Sequence, residues 1–176
     1  MDTNTRKGWA RVLLVLGRLV LAGSFLFAAY LKLKPQAAVP WSVASVKTSL
    51  SMFAMEVDSY QMLPPRAVSL AANTLPPFEL LLGLWLLSGL ALRFSSLLTT
   101  LLLGGFLTIM VRAYALGLEI NCGCFGPGEQ IGSRTLMRDS SLFALSLAVT
   151  IGAFLIHRRR SQAAVHDVSP PSGGTA

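Results

Sequence analysis

Cys122 and Cys124 are the chain's only cysteines, and a single glycine separates them. Their spacing suggests sulfur chemistry. A relaxed disulfide holds its Cα atoms about 4.4–6.8 Å apart. Residues i and i+2 of an extended chain lie near the top of that range, since each rises roughly 3.3 Å. Gly123 can take backbone angles that other residues avoid, so the chain can curl and close the ring. The closed ring should be strained, and strained, exposed disulfides are the readily reduced ones. Two thiolates this close also repel, which separates their titrations. The pair therefore reads as a thiol–disulfide redox centre. A static cross-link, two inert reduced cysteines and half of a metal site are the competing readings. The loop supplies too few ligands for a metal, so none is expected. His157 and His166 lie at the end of the last apolar run and beyond it, where they make poor ligands. With no second pair to relay electrons, these must leave to a quinone, another protein or small thiols.

Three further residues carry charge inside apolar runs. Glu79 and Arg112 fall at the ends of their segments nearest the cysteines. They read either as an ion pair that fixes the bundle or as tuning groups. In the second case Arg112 lowers a thiol pKa and Glu79 moves protons. Arg18 recurs with Arg11, Phe25 and Lys32 every seven residues along one stripe. It faces the bundle interior or snorkels to the surface.

These residues need a scaffold, and the apolar runs supply one. Residues 12–31 are long enough to span a bilayer, at roughly 20 residues. The run is too long for a signal-peptide core and has no convincing cleavage site. Ala22 and Ala29 beside the charged stripe would let another helix approach closely. Residues 35–65 mix Lys47, Glu56 and Asp58 with Trp41, Phe53 and Tyr60 between prolines. That pattern suits a short amphipathic interfacial helix, acting as an anchor or as a lid over the bundle mouth. The second span, residues 67–92, is interrupted by Pro76-Pro77. With Thr74 as a cap, the helix proper is expected to start near Pro76, placing Glu79 in its first turn. A short connection at residues 89–93 makes the second and third helices antiparallel neighbours. The third span covers residues 95–111. A glycine-rich loop, residues 115–139, carries the cysteines. Asp139, Ser140 and Ser141 offer caps for a fourth span ending at Ile156.

Composition agrees. Only 13% of the 176 residues are charged and 53% are hydrophobic, against about 25% charged in soluble domains; mean hydropathy is +0.59. The net charge of +7 sits at the ends of apolar runs, so it indicates no nucleic-acid partner. The expected fold is all-α: an integral membrane four-helix bundle with the interfacial helix between the first and second spans. Residues 1–10 form an N-terminus, 11–157 the transmembrane domain and 158–176 a disordered tail. Four spans put both termini on one side. Seven Lys and Arg crowd against helix ends there, with six more dispersed opposite. The positive-inside rule then makes the termini cytoplasmic. The cysteine loop faces the periplasm or exterior, where disulfides persist.

Several blocks make the chain resemble the methylamine utilisation protein MauE family, within the wider DoxX-like group. One is Arg18-Leu19-Val20-Leu21-Ala22-Gly23 through Lys32-Leu33. Another is Tyr60-Gln61-Met62-Leu63-Pro64, with Met62 where leucine is commoner. A third runs Leu75-Pro76-Pro77-Phe78-Glu79-Leu80-Leu81-Leu82-Gly83. The most specific is Asn121-Cys122-Gly123-Cys124-Phe125-Gly126. The resemblance implies a bacterial inner-membrane protein tied to maturation of a disulfide-rich periplasmic amine dehydrogenase subunit. It implies Cys122 and Cys124 as the redox pair, with Glu79 and Arg18 as shared polar positions. Implied partners are the lipid bilayer and a periplasmic client or thioredoxin-like protein. Quinone is the implied cofactor class, through DoxX-like relatives. A quinone-linked oxidoreductase and a non-enzymatic membrane scaffold or export helper remain as alternatives.

Overall fold

A computed structural model describes residues 3–35, 39–125 and 129–168. Among them run five helices: α1 (Thr3–Leu33), α2 (Val43–Ser59), α3 (Pro65–Ser88), α4 (Leu92–Ala115) and α5 (Ser133–Val168). Four stretches are long and apolar enough to cross a membrane: Arg11–Leu33, Pro65–Ser88, Leu92–Ala115 and Ser133–Arg158. The protein is a multi-pass membrane bundle of four helices, with α2 inserted between the first two spans.

Small residues set the packing. α1 lies along α3 and touches α5, while α4 lies along α5. Ala22 and Ala29 are fully buried, as the stripe of α1 predicts. A side chain at Gly83 would meet Leu26 and the Ala22 carbonyl, so the α1–α3 crossing is close there. Leu21, Ala22, Leu86 and Val149 form the apolar centre, flanked by Leu14, Leu92, Leu103 and Leu145. Between α4 and α5 the buried residues are small and hydroxylated. Thr100 and Thr150 share a 2.9 Å hydrogen bond. Thr99 satisfies its own hydroxyl on the Ser95 carbonyl. Hydroxyls bonded within or between helices carry no unpaired polarity into the apolar interior.

The element boundaries correct several expectations. α3 is one helix from Pro65, with Pro76 and Pro77 inside it. The proline that opens it, where a missing N–H costs nothing, is Pro65. Thr74 does not cap; its hydroxyl donates to the Leu70 carbonyl one turn earlier. Internal prolines are tolerated in membrane helices when neighbouring packing holds the segment, and Ala72, Pro76, Glu79 and Leu82 are all buried. α5 likewise starts at Ser133, six residues before the expected cap at Asp139. Its first turn is closed by Thr135, whose hydroxyl accepts from the Gly132 N–H, and by the Leu136 N–H on the Gly132 carbonyl. At its far end α5 continues past Ile156 to Val168. Residues 158–168, expected as disordered tail, are thus helical. Arg, Gln and Ala are good helix formers, and an existing helix extends at little cost. Likewise α1 already starts at Thr3, within the segment expected as a polar N-terminus. Residues 169–176 of the expected tail, and residues 126–128 of the glycine-rich loop, lie outside the described residues.

α2 falls inside the interval expected for it. Ser42 opens it with a capping box: the Ser45 N–H donates to Ser42 Oγ, and the Ser42 N–H donates to Ser45 Oγ. This satisfies two otherwise unpaired donors.

Candidate functional site

The cysteines sit in a loop pinched at its base. Asn121 and Gln130 form an isolated antiparallel bridge. The Cys122 N–H donates to the Glu129 carbonyl at 2.7 Å, and the Ile131 N–H to the Ile120 carbonyl at 3.0 Å. Gly123 turns the chain between the two sulfurs with φ +68°. That left-handed angle suits glycine. A Cβ there would also approach Glu56 Oε2 to 3.1 Å, so α2 lies directly against the turn. The Tyr60 hydroxyl, just past the end of α2, donates to the Cys122 carbonyl at 2.9 Å. α2 therefore covers the mouth of the bundle at the sulfur pair.

Beneath the loop, α4 and α5 supply three more groups. Both cysteines are free. Cys122 is 2% exposed, and Cys124 is half-buried. Met110 of α4 places its Sδ 3.7 Å from Cys122 Sγ and 3.9 Å from Cys124 Sγ. Asp139 of α5 brings Oδ2 to 3.9 Å from Cys122 Sγ. The two sulfurs and an Asp139 oxygen all fall within 4.8 Å of one another. Arg138 anchors this side. Its Nε donates to Asp139 Oδ1 at 3.0 Å, and its Nη1 donates to both Glu129 oxygens at 2.6 and 2.7 Å. Its guanidinium also lies over the Phe125 ring, 4.3 Å from the centroid. One cation thus ties α5 to both sides of the cysteine loop.

The two thiols titrate apart. A hydrogen bond from Cys124 holds the Cys122 thiol below its ordinary value, against the opposing effect of burial. Cys124 is pushed well up by that same bond to Cys122 and by burial. Burial also pushes the Tyr60 phenol up, and the sulfurs and carboxylates around it add to this. The Glu56 carboxyl is likewise raised by burial, against the pull of Lys32.

A second charged cluster lies one layer deeper. Lys32 Nζ donates to both Glu79 oxygens, at 2.6 and 2.7 Å. Both residues are 4% exposed. The ammonium also sits 4.9 Å from the Phe53 ring centroid and 5.7 Å from that of Phe106, so helices α1 to α4 all meet at this cation. A cleft between α1, α4 and α5 joins the two clusters. Its lining includes Phe25, Phe106, Glu79, Asp139 and Cys124. It is narrow, with a cavity volume of about 40 Å³. On the other face of the loop, Cys122 lines a groove with Phe53, Tyr60 and Ile109.

The model of one protein family, methylamine utilisation protein MauE, matches residues 10–154. The chain belongs to the MauE family. Neither the comparison with curated proteins nor that with solved structures gives a match. The matched region holds the first three spans whole and the fourth up to residue 154, ending before the last turns of α5. It also contains every residue of the sulfur site just described.

Within this MauE-family bundle the site residues expected from sequence divide. Cys122, Cys124 and Glu79 come to one end of the bundle, with Glu79 and Cys124 lining the same cleft. Glu79 is in the middle of α3 rather than in a first turn, because the helix starts at Pro65. Arg112 does not join them. Its side chain is exposed, and the partner of Glu79 is Lys32. Met110 and Ala113 face inward. Arg112 stands two residues from Met110, about 200° around the helix. The cations that act on the thiols are Arg138 and Lys32. Arg18 lies at the opposite end, beside the Gly89 turn. Sequence reasoning did not single out Met110, Asp139, Arg138, Tyr60 or Lys32 as site residues. For Lys32 a signal existed, since the seven-residue stripe puts it on the face of Phe25 and a buried Glu79 requires a cation.

Proposed function

We propose that this MauE-family protein is a membrane thiol–disulfide factor that works through Cys122 and Cys124. The placement of two free sulfurs side by side carries the reading: one is buried, the other half-buried, and both lie at the covered mouth of the bundle. In the oxidised form the pair is a disulfide. A client thiolate attacks Cys124, the less buried residue of the two, and Cys122 leaves as the thiolate. The client's second thiolate then displaces Cys124. The client leaves with a disulfide, and the pair is left as two thiols. Two electrons and two protons must next pass to an acceptor. The client is an extracytoplasmic protein such as a disulfide-rich amine dehydrogenase subunit. The protein sits in the bacterial inner membrane with both termini cytoplasmic and the cysteine loop outside.

Trapping in intact cells tests this. Cys122→Ser should accumulate a mixed disulfide between Cys124 and its client, visible as a reducible adduct. Client disulfides unaltered in both single serine variants, with no adduct, would sink the reading. If client binding survived replacement of both cysteines, a scaffold role would stand in its place.

A quinone-linked variant of the same chemistry draws on the cleft. A largely apolar lining with a few polar groups is the usual make-up of a small-molecule site, and Cys124 opens onto this one, which must widen beyond its about 40 Å³ to admit a quinone ring. Quinone would take the two electrons and two protons and leave as quinol. Quinone added to purified, reduced protein should restore the disulfide; a pair that stays reduced excludes this acceptor.

A further inference from the structure

We infer that the reduced pair, together with the thioether of Met110, is a binding site for a soft monovalent cation, Cu(I). Three sulfurs from two elements converge here. Met110 Sδ lies 3.7 Å from Cys122 Sγ and 3.9 Å from Cys124 Sγ. The third edge, between the two thiols, is within 4.8 Å. A metal–sulfur bond of about 2.3 Å sets sulfurs around one ion roughly 3.8–4.0 Å apart. Two of the three edges already have that length.

Donor chemistry selects the ion. Thiolate and thioether are soft ligands that favour Cu(I). Zinc takes Cys, His or carboxylate, and a thioether is not among its usual ligands. Met110 is fully buried. A leucine of similar volume would fill that space, so packing alone does not require a sulfur against both cysteines. The surroundings are those of a held site. Arg138 fixes Asp139 through two of its nitrogens, and the Cys122 backbone is fixed at both its N–H and its carbonyl. Such outer contacts orient ligands. The cleft that Cys124 and Asp139 line provides an entry path. On binding, each thiol loses its proton to water. The resulting complex of two thiolates and one Cu(I) is singly negative, next to the Arg138 cation.

The inference uses the same sulfurs as the redox reading but needs only their dithiol form. It holds whether or not they exchange with a client. The test is anaerobic titration of the full-length protein in detergent micelles with Cu(I), against a coloured Cu(I) chelator. Alkylation of parallel samples confirms that both thiols are present, so failure to bind is read only on chains with the pair reduced. One ion per chain is expected, with X-ray absorption showing three sulfur neighbours at about 2.3 Å. Met110→Leu should weaken binding roughly tenfold or more and leave two sulfur neighbours. Met110→Cys should restore the third. A two-sulfur shell in the unaltered protein, Met110→Leu binding as tightly as the original, or preference for Zn(II) over Cu(I) would each overturn the assignment.

Discussion

Helix α1 carries two cations on one stripe, and its two ends treat them differently. Arg18 and Lys32 are 14 residues apart, about 21 Å along the helix. Lys32 meets a carboxylate and two aromatic rings and is almost wholly enclosed. Arg18 is half-buried against the turn after α3, and its Nε has no hydrogen-bond partner among the described residues. The residue type and the face of α1 are alike; what differs is what α3 presents. At one level α3 offers Glu79. At the other it ends at Gly89, where it presents the negative end of a helix dipole. A point charge fixes a side chain in one geometry, while a dipole end merely tolerates it. The sulfur end of the molecule is therefore built to hold positions, and the opposite end only to close a turn.

Removing one partner at each end tests this contrast. Lys32→Met leaves Glu79 buried and unpaired, which should cost about 3–5 kcal/mol in unfolding experiments in micelles. Pairing it with Glu79→Leu should recover most of that loss. A single Lys32→Met variant as stable as the original would remove the distinction between the ends. Gly89→Ala comes next. The residue has φ +68°, and its new Cβ would collide with the Arg18 guanidinium. A left-handed non-glycine residue costs about 1–2 kcal/mol, read as a lower unfolding midpoint. Tyr60→Phe should cost about 1 kcal/mol for the lost bond to the Cys122 carbonyl. Its more telling readout is faster alkylation of Cys122 in the reduced protein; an unaltered rate would mean that α2 does not hold the loop. The smallest effect is expected for Arg18→Met. It keeps the packing of the stem and should shift stability by less than about 1 kcal/mol.

The sequence conveyed the scaffold well because spans are long and a bilayer demands uniform apolarity. The stripe of α1, the interfacial α2 and the cysteine loop were all readable from periodicity and composition. The misses have local causes. Pro76-Pro77 resembles a helix start in isolation, and only packing against neighbouring helices carries α3 through it. Asp139 has the type and position of a cap, so its burial beside the sulfurs was masked by a more ordinary role. Met110 is one apolar residue among many on α4, and nothing along the chain marks its sulfur as turned toward two others. Arg112 was matched to Glu79 by shared depth, but pairing also needs the right face. The seven-residue stripe had already put Lys32 on that face.

The paired prolines of α3 have a mechanical consequence. Neither has an amide hydrogen, so the carbonyls of Ala72 and Asn73 receive no helix donor from them. Flexing the rod at that level therefore breaks no amide bond to Pro76 or Pro77. Lys32, one residue before the end of α1, is level with Glu79, so the stretch of α3 before the prolines lies beyond α1, and α2 packs against α3. The backbone ladder is thus thinned between the anchored half of α3 and the half next to its cover, and packing against α1 and α2, not amide bonding, keeps the rod in place there.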